Sequence, residues 1–253
     1  ALVLFSMGSS STVFQLILSL VAFGMMANLM NIATNTQACL VEKMYGRNIM
    51  SSFHGLWSLG GFSGGIIGAV FANTLLPIEA HFGTILAMSL VIIAVGFRFL
   101  VDDATAKAEE EDVPKFSFRT IDPILFLLGL MGFAGMFCEG TVYDWSGVYF
   151  SSVVKPDDAF IRAGYVAGMG AMTLGRFLAD GFVTKYGPAR VLKVCGGLIV
   201  GGLWLAAALP YLIPATFGFL LVGFGISSSV PICYSIAGKL GTIKASIAIT
   251  IVS

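Results

Sequence analysis

Charge is scarce in this chain: Asp, Glu, Lys and Arg supply 11% of its 253 residues, less than half of what a soluble domain carries. That shortage, with 57% hydrophobic residues and a mean hydropathy of +0.91, excludes a water-soluble globular domain. No basic run occurs and the formal net charge is zero, so nucleic acid is excluded as a partner. The four cysteines, Cys39, Cys138, Cys195 and Cys233, sit singly in or beside apolar runs. They lack metal-ligand spacing and read as small core residues, so no metal or other cofactor is expected. No nucleophile–base pair can be placed near one membrane face, which argues against an enzyme. A repeated filter sequence is also missing, which argues against a channel.

Long apolar runs are present instead. Spans are expected at about 13–39, 51–76, 84–101, 121–150, 162–182, 191–208 and 215–237, with a stub at each end. The fold class is therefore all-α, a polytopic membrane protein in a multi-pass arrangement. The chain begins in an apolar run without an initiator Met and stops inside another, so it is expected to be a fragment.

The span 121–150 organises the rest. Asp122 can cap a helix that Pro123 opens. Glu139, about sixteen residues further on, then lies deep in a hydrocarbon layer that takes roughly 20 helical residues to cross. Charge there is costly and marks function by default. Gly132, Gly135, Glu139, Tyr143 and Ser146 share one face, as a cavity wall would require.

Two other spans carry polar stripes. Asn28, Asn31 and Asn35 share a face with Gly24, and their amides need partners in a neighbouring helix or in a solute. His54, Ser58, Gly61, Gly65 and Gly68 line up on the next span. The glycines suit close helix packing, and an imidazole can exchange protons near neutral pH.

Residues 102–120 carry six acidic residues among Lys107, Lys115 and Arg119, a segment that belongs in water. It divides the chain into 1–101, the linker 102–120, and 121–253. Eleven Lys and Arg fall in that linker, at Arg98 and in the turns at 41–49, 183–193 and 238–244, whereas the alternate connections hold only Lys155 and Arg162. The bias places the linker and those turns in the cytoplasm, in an inner (plasma) membrane protein. A weak repeat relates Leu20-Val21-Ala22-Phe23-Gly24 to Leu221-Val222-Gly223-Phe224-Gly225, as duplicated halves would.

Three stretches then resemble the major facilitator superfamily, and within it the bacterial branch similar to sugar permeases of the fucose-permease type. Asn35-Thr36-Gln37, Val41 to Arg47 and Ser51 to Gly55 look like that branch's link between its fourth and fifth helices. Glu139-Gly140-Thr141-Val142-Tyr143-Asp144-Trp145-Ser146 looks like its seventh helix. Gly175-Arg176-Phe177-Leu178-Ala179-Asp180, with Lys185, Gly187 and Arg190, resembles the superfamily's cytoplasmic signature after the eighth helix. Gly181 departs from it, standing where a basic residue commonly follows the aspartate.

The resemblance implies a twelve-helix, two-bundle fold. Residues 1–101 would run from the end of helix 3 to helix 6 of the N-terminal bundle, and 121–253 from helix 7 to the start of helix 11 of the C-terminal bundle. It further implies secondary active transport of a small polar solute, such as a sugar, by alternating access, with the lipid bilayer, the solute and a proton as partners. Solute contacts are expected at Asn31, Asn35, His54, Trp57, Glu139 and Tyr143, since amides bond hydroxyls and Trp or Tyr can cover an apolar sugar face. Proton coupling is expected at Glu139, with His54 and Asp144 as competitors. A conformational latch is expected from Gly175, Arg176, Asp180, Lys185 and Arg190, with Gly175 permitting close helix contact, Asp180 facing a neighbouring helix N-terminus and Arg176 one turn from Asp180. An exporter of drugs or metabolites with the same fold, or a non-transporting membrane sensor or scaffold, are the alternative functions.

Overall fold

The computed structural model describes residues 2–72, 77–101, 121–241 and 243–253. The expected linker at 102–120 lies outside the described residues, as does the end of the span at 73–76. No strand occurs among the described residues. The helices are α1 (Leu2–Gly8), α2 (Val13–Tyr45), α3 (Met50–Ala72), α4 (Ile78–Gly96), α5 (Pro123–Tyr149), α6 (Ala163–Tyr186), α7 (Pro188–Ala208), α8 (Leu212–Ile226), α9 (Ser229–Lys239) and α10 (Ala245–Val252). The seven expected spans correspond to α2 through α7 and to α8 with α9. Five segments among the described residues are both long and apolar enough to cross a membrane: Val13–Tyr45, Ile78–Phe99, Pro123–Val154, Pro188–Ala208 and Leu212–Lys239.

Local chemistry explains the helix ends. Asp122 accepts a hydrogen bond from the Ile124 N–H at 3.0 Å, and Pro123 follows in the first turn, as their sequence order suggests. At the far end of α5 the helix widens into a π turn, Phe150–Val154, closed by Lys155 in the left-handed conformation (φ 50°).

The chain divides into two compact units, Ala1–Gln37 with Gly60–Glu111, and Ala38–Leu59 with Asp112–Ser253. In the first unit α1 packs on α4. Gln37 on α2 clasps the backbone just beyond α4, accepting from the Val101 N–H at 3.0 Å and donating to the Val101 carbonyl at 3.3 Å. His81 is stacked against Phe71 and Phe82. None of α4 is buried, so its apolar surface is left for a membrane or for other helices.

The second unit has two cores. One gathers Val142, Phe150, Met172, Ala206, Phe219 and Val222 from α5 to α8. The other joins Cys39 and Met50 to Leu125, Leu128, Cys233 and Ile249. Residues 38–59 thus share the core and the polar contacts of the second unit. The backbones of α7 and α8 also approach closely, where a Cβ on Gly202 would strike the Gly218 carbonyl oxygen and one on Gly218 that of Gly202.

Gly202→Ala should therefore cost about 1–3 kcal/mol through overpacking. Gly201, its neighbour, faces open space. Gly201→Ala should be neutral or gain up to about 1 kcal/mol from helix propensity. Thermal unfolding in detergent compares them, and equal effects would contradict the assigned packing.

Candidate functional site

Two polar clusters stand out in the second unit, and both draw on α3 and α6. In the first, Glu139 projects from the middle of α5 and accepts from Arg176 on α6, Nη2 to Oε2 at 3.0 Å. Arg176 Nη1 donates to the Ser58 hydroxyl on α3. Ser58 in turn donates to the His54 carbonyl one turn earlier, at 3.2 Å. Arg176 is only 4% exposed.

Burial makes this pair consequential. Removing two charges from water costs several kcal/mol each, and their attraction offsets this only while both partners remain. The pair also crosslinks three helices. Two further buried nitrogens, His54 Nε2 and Arg176 Nε, have no hydrogen-bond partner among the described residues. Polar atoms left unmatched in a dry site are available to a ligand or to water.

The second cluster surrounds the N-terminus of α3, whose first amides have no intrahelical acceptor. Glu42 Oε2, near the end of α2, accepts from the Ile49 N–H at 2.8 Å and the Met50 N–H at 2.7 Å. Asp180 on α6 accepts from the Ser51 N–H at 3.0 Å, and from the Ser52 N–H and hydroxyl at 2.7 and 2.5 Å. Four consecutive amides are thus held by two carboxylates from different helices, at the end where the helix dipole favours negative charge. Glu42 is 1% exposed and also binds the Ser235 hydroxyl and Lys239 Nζ of α9, the latter at 2.6 Å. Lys239 reaches back to the Asn48 side chain at 3.3 Å.

Each expected site residue can now be placed. His54 and Glu139 come together through Ser58 and Arg176, and the His54 ring lies 5.9 Å from that of Tyr234. Tyr143, one turn beyond Glu139, is half exposed and meets Tyr165 edge-on at 5.8 Å. Trp57 is 65% exposed on α3, and Asp144 is exposed on α5. Asn31 and Asn35 belong to the first unit. Asn35 donates to the side chain of Asn31 and to its carbonyl, the latter at 3.0 Å, so within α2 it finds its partner one turn away rather than on a neighbouring helix.

The expected latch residues separate. Asp180 sits on the α3 N-terminus. Gly175 allows α6 to approach the joint between α8 and α9, where a Cβ would meet Ser227. Arg176 turns to Glu139 instead of Asp180, because the partly buried carboxylate across the helix interface pairs with it while the backbone amides of α3 already satisfy Asp180. Lys185 lies 5.1 Å from the Tyr186 ring centroid, and Arg190 is exposed; neither has a carboxylate partner among the described residues. Glu42 was not singled out in the sequence. Its signal was a single acid followed, after Gly46, by the start of an apolar span.

The profile described as Major Facilitator Superfamily matches residues 1–251. Similar proteins include an uncharacterized transporter, y4wD, of Sinorhizobium fredii, 34% identical over 91% of this chain and 60% of its own length. An uncharacterized MFS-type transporter of Yersinia pestis is 32% identical over 92% of this chain and 59% of its own. Membrane protein MosC of Rhizobium meliloti is 28% identical over 93% of this chain and 56% of its own. The chain thus spans about three-fifths of the length of these relatives. No solved structure gives a significant match. Matched almost from end to end, this helical, multi-pass membrane chain belongs to the Major Facilitator Superfamily.

Proposed function

We propose that the intact protein is a secondary active transporter that moves a small polar solute, of the sugar class, together with protons by alternating access. The observation that carries the reading is the Glu139–Arg176 pair, with the arginine buried and the carboxylate partly so, because it places a carboxylate in contact with a fixed cation at the junction of α3, α5 and α6. Glu139 is the proton-coupling residue in this reading. His54 and Tyr143 flank it with groups able to bond hydroxyls, and Trp57 offers an aromatic face. The Asn31 and Asn35 amides are further solute-bonding groups in this reading. Asp180, which accepts from the Ser51 and Ser52 amides, serves in this reading with Gly175, Arg176, Lys185 and Arg190 as a latch on the cytoplasmic side, made and broken as access alternates. The resemblance of the Glu139–Ser146 stretch to the fucose-permease type supports a sugar as the solute.

The test is uptake of a panel of labelled sugars by proteoliposomes of the full-length protein under an imposed inward pH gradient. Accumulation of at least one sugar, abolished by a protonophore, is expected. Efflux of lipophilic compounds without sugar uptake would point to an exporter, and absence of any flux to a sensor or scaffold. The orientation follows the basic bias and puts α6's end at Lys185 in the cytoplasm. A Lys185→Cys variant labelled in intact cells by an impermeant external maleimide would reverse it.

A further inference from the structure

A cavity of about 480 Å³ lies between α6, α7 and the joint of α8 with α9. That volume is in the range of small-molecule pockets, roughly 300–1,000 Å³. Its wall is nearly all apolar, with Leu178, Phe182, Val194, Leu198 and Phe224 among its members. The Ser227 and Ser228 hydroxyls also line it but are engaged locally: Ser227 donates to the Phe224 carbonyl at 2.7 Å and lies 3.2 Å from the Ser228 hydroxyl. A polar solute would find few partners there. None of Glu139, Arg176 or Ser58 lines it, so it is separate from the ion-pair cluster.

Shape and charge narrow the occupant. Along α7 the lining runs from Arg190 to Leu198, about 12 Å at 1.5 Å per residue, so the slot follows the helix axes. Its rim is open: Leu178, Phe182 and Val194 are 54%, 51% and 62% exposed on a surface that a bilayer would cover. Arg190 is the charged residue in the lining, set in the first turn of α7. It is exposed and has no carboxylate partner among the described residues, and Lys193 is exposed one turn further on. A slot that is basic at its aqueous end and apolar beyond matches a molecule with an anionic head and a hydrocarbon tail.

We propose that this slot holds one acyl chain of an anionic phospholipid, with the lipid phosphate against Arg190 and Lys193 strengthening the local field. Desolvated tail contacts supply the apolar match, and a basic residue near the membrane surface adds about fivefold in affinity for an anionic lipid. The proposal does not depend on what the protein transports.

The experiment uses the full-length protein in mild detergent with phosphatidylglycerol carrying a diazirine near the end of one acyl chain. After photolysis, cross-links should map to the inner slot around Leu198 and Phe224. Arg190→Gln should reduce that yield about fivefold for phosphatidylglycerol, while a phosphatidylcholine probe should label weakly and unchanged. Leu198→Trp, which fills the inner end and leaves the charges, should also suppress the yield; melting curves check its fold, and Val194→Trp at the exposed rim replaces it if it is unstable. Equal labelling by both lipids that survives Arg190→Gln would mean ordinary surrounding lipid and overturn the proposal. Slot residues that stay unlabelled, as when another segment of the protein covers them, would overturn it too.

Discussion

Glu139→Gln should abolish proton-driven accumulation in the full-length protein while leaving it folded. The amide keeps the size of the carboxyl group and can still accept from Arg176 Nη2, but it cannot exchange a proton. Internal solute should fall to the external level, with solute counterflow retained, because counterflow needs the binding site and not net proton movement. Arg176→Gln is expected to behave differently. It strands Glu139 in a site where the carboxylate has lost its charge partner, and removal of one member of a buried pair typically costs about 3–5 kcal/mol. The double variant, Glu139→Gln with Arg176→Gln, should regain much of that stability and none of the accumulation. Thermal unfolding separates the three. An Arg176→Gln protein as stable as the parent would mean that the pair is not buried as described.

Glu42→Ala should destabilise the second unit far more than Lys239→Ala, although the two residues form one ion pair. The Lys239 side chain is 39% exposed, so water screens its charge and the pair itself should contribute no more than about 1 kcal/mol. Glu42 is fully enclosed and holds the Ile49 and Met50 amides as well. Its loss orphans two donors at a helix start, at about 1–3 kcal/mol for each buried group left unmatched. Glu42→Gln retains an acceptor and should fall between them. Unfolding midpoints that rank Lys239→Ala as the most damaging would show that the ion pair, and not the helix N-terminus, holds this junction.

Apolar run length was enough to locate the helices, because a span in lipid must be both long and continuous; over the described residues, each of the seven expected spans corresponds to helix. The Asp122 cap was readable for a similar reason, since Asp-Pro before an apolar run has few other uses. Asp180 was readable as facing a neighbouring helix N-terminus, which it does at Ser51 and Ser52; the partners of the other charged residues were not. Arg176 and Asp180 lie four apart on one helix and so suggest each other, yet each serves a different neighbour, which depends on how α6 rotates against α3 and α5. Glu42 was hidden in the same way: its amide partners lie seven and eight residues away, across a turn that only folding closes. At Asn31 and Asn35 the spacing that suggested a face turned toward another helix or a solute also permits the bond within the helix that the structure shows.

Proton movement driven by solute is the most direct measure of the central proposal, that Glu139 couples transport to protons. In lightly buffered proteoliposomes of the full-length protein, addition of a sugar that the uptake panel identifies should make the external medium more alkaline, and the Glu139→Gln protein should give no signal at matched protein content. Alkalinisation of equal size in that variant would contradict the account.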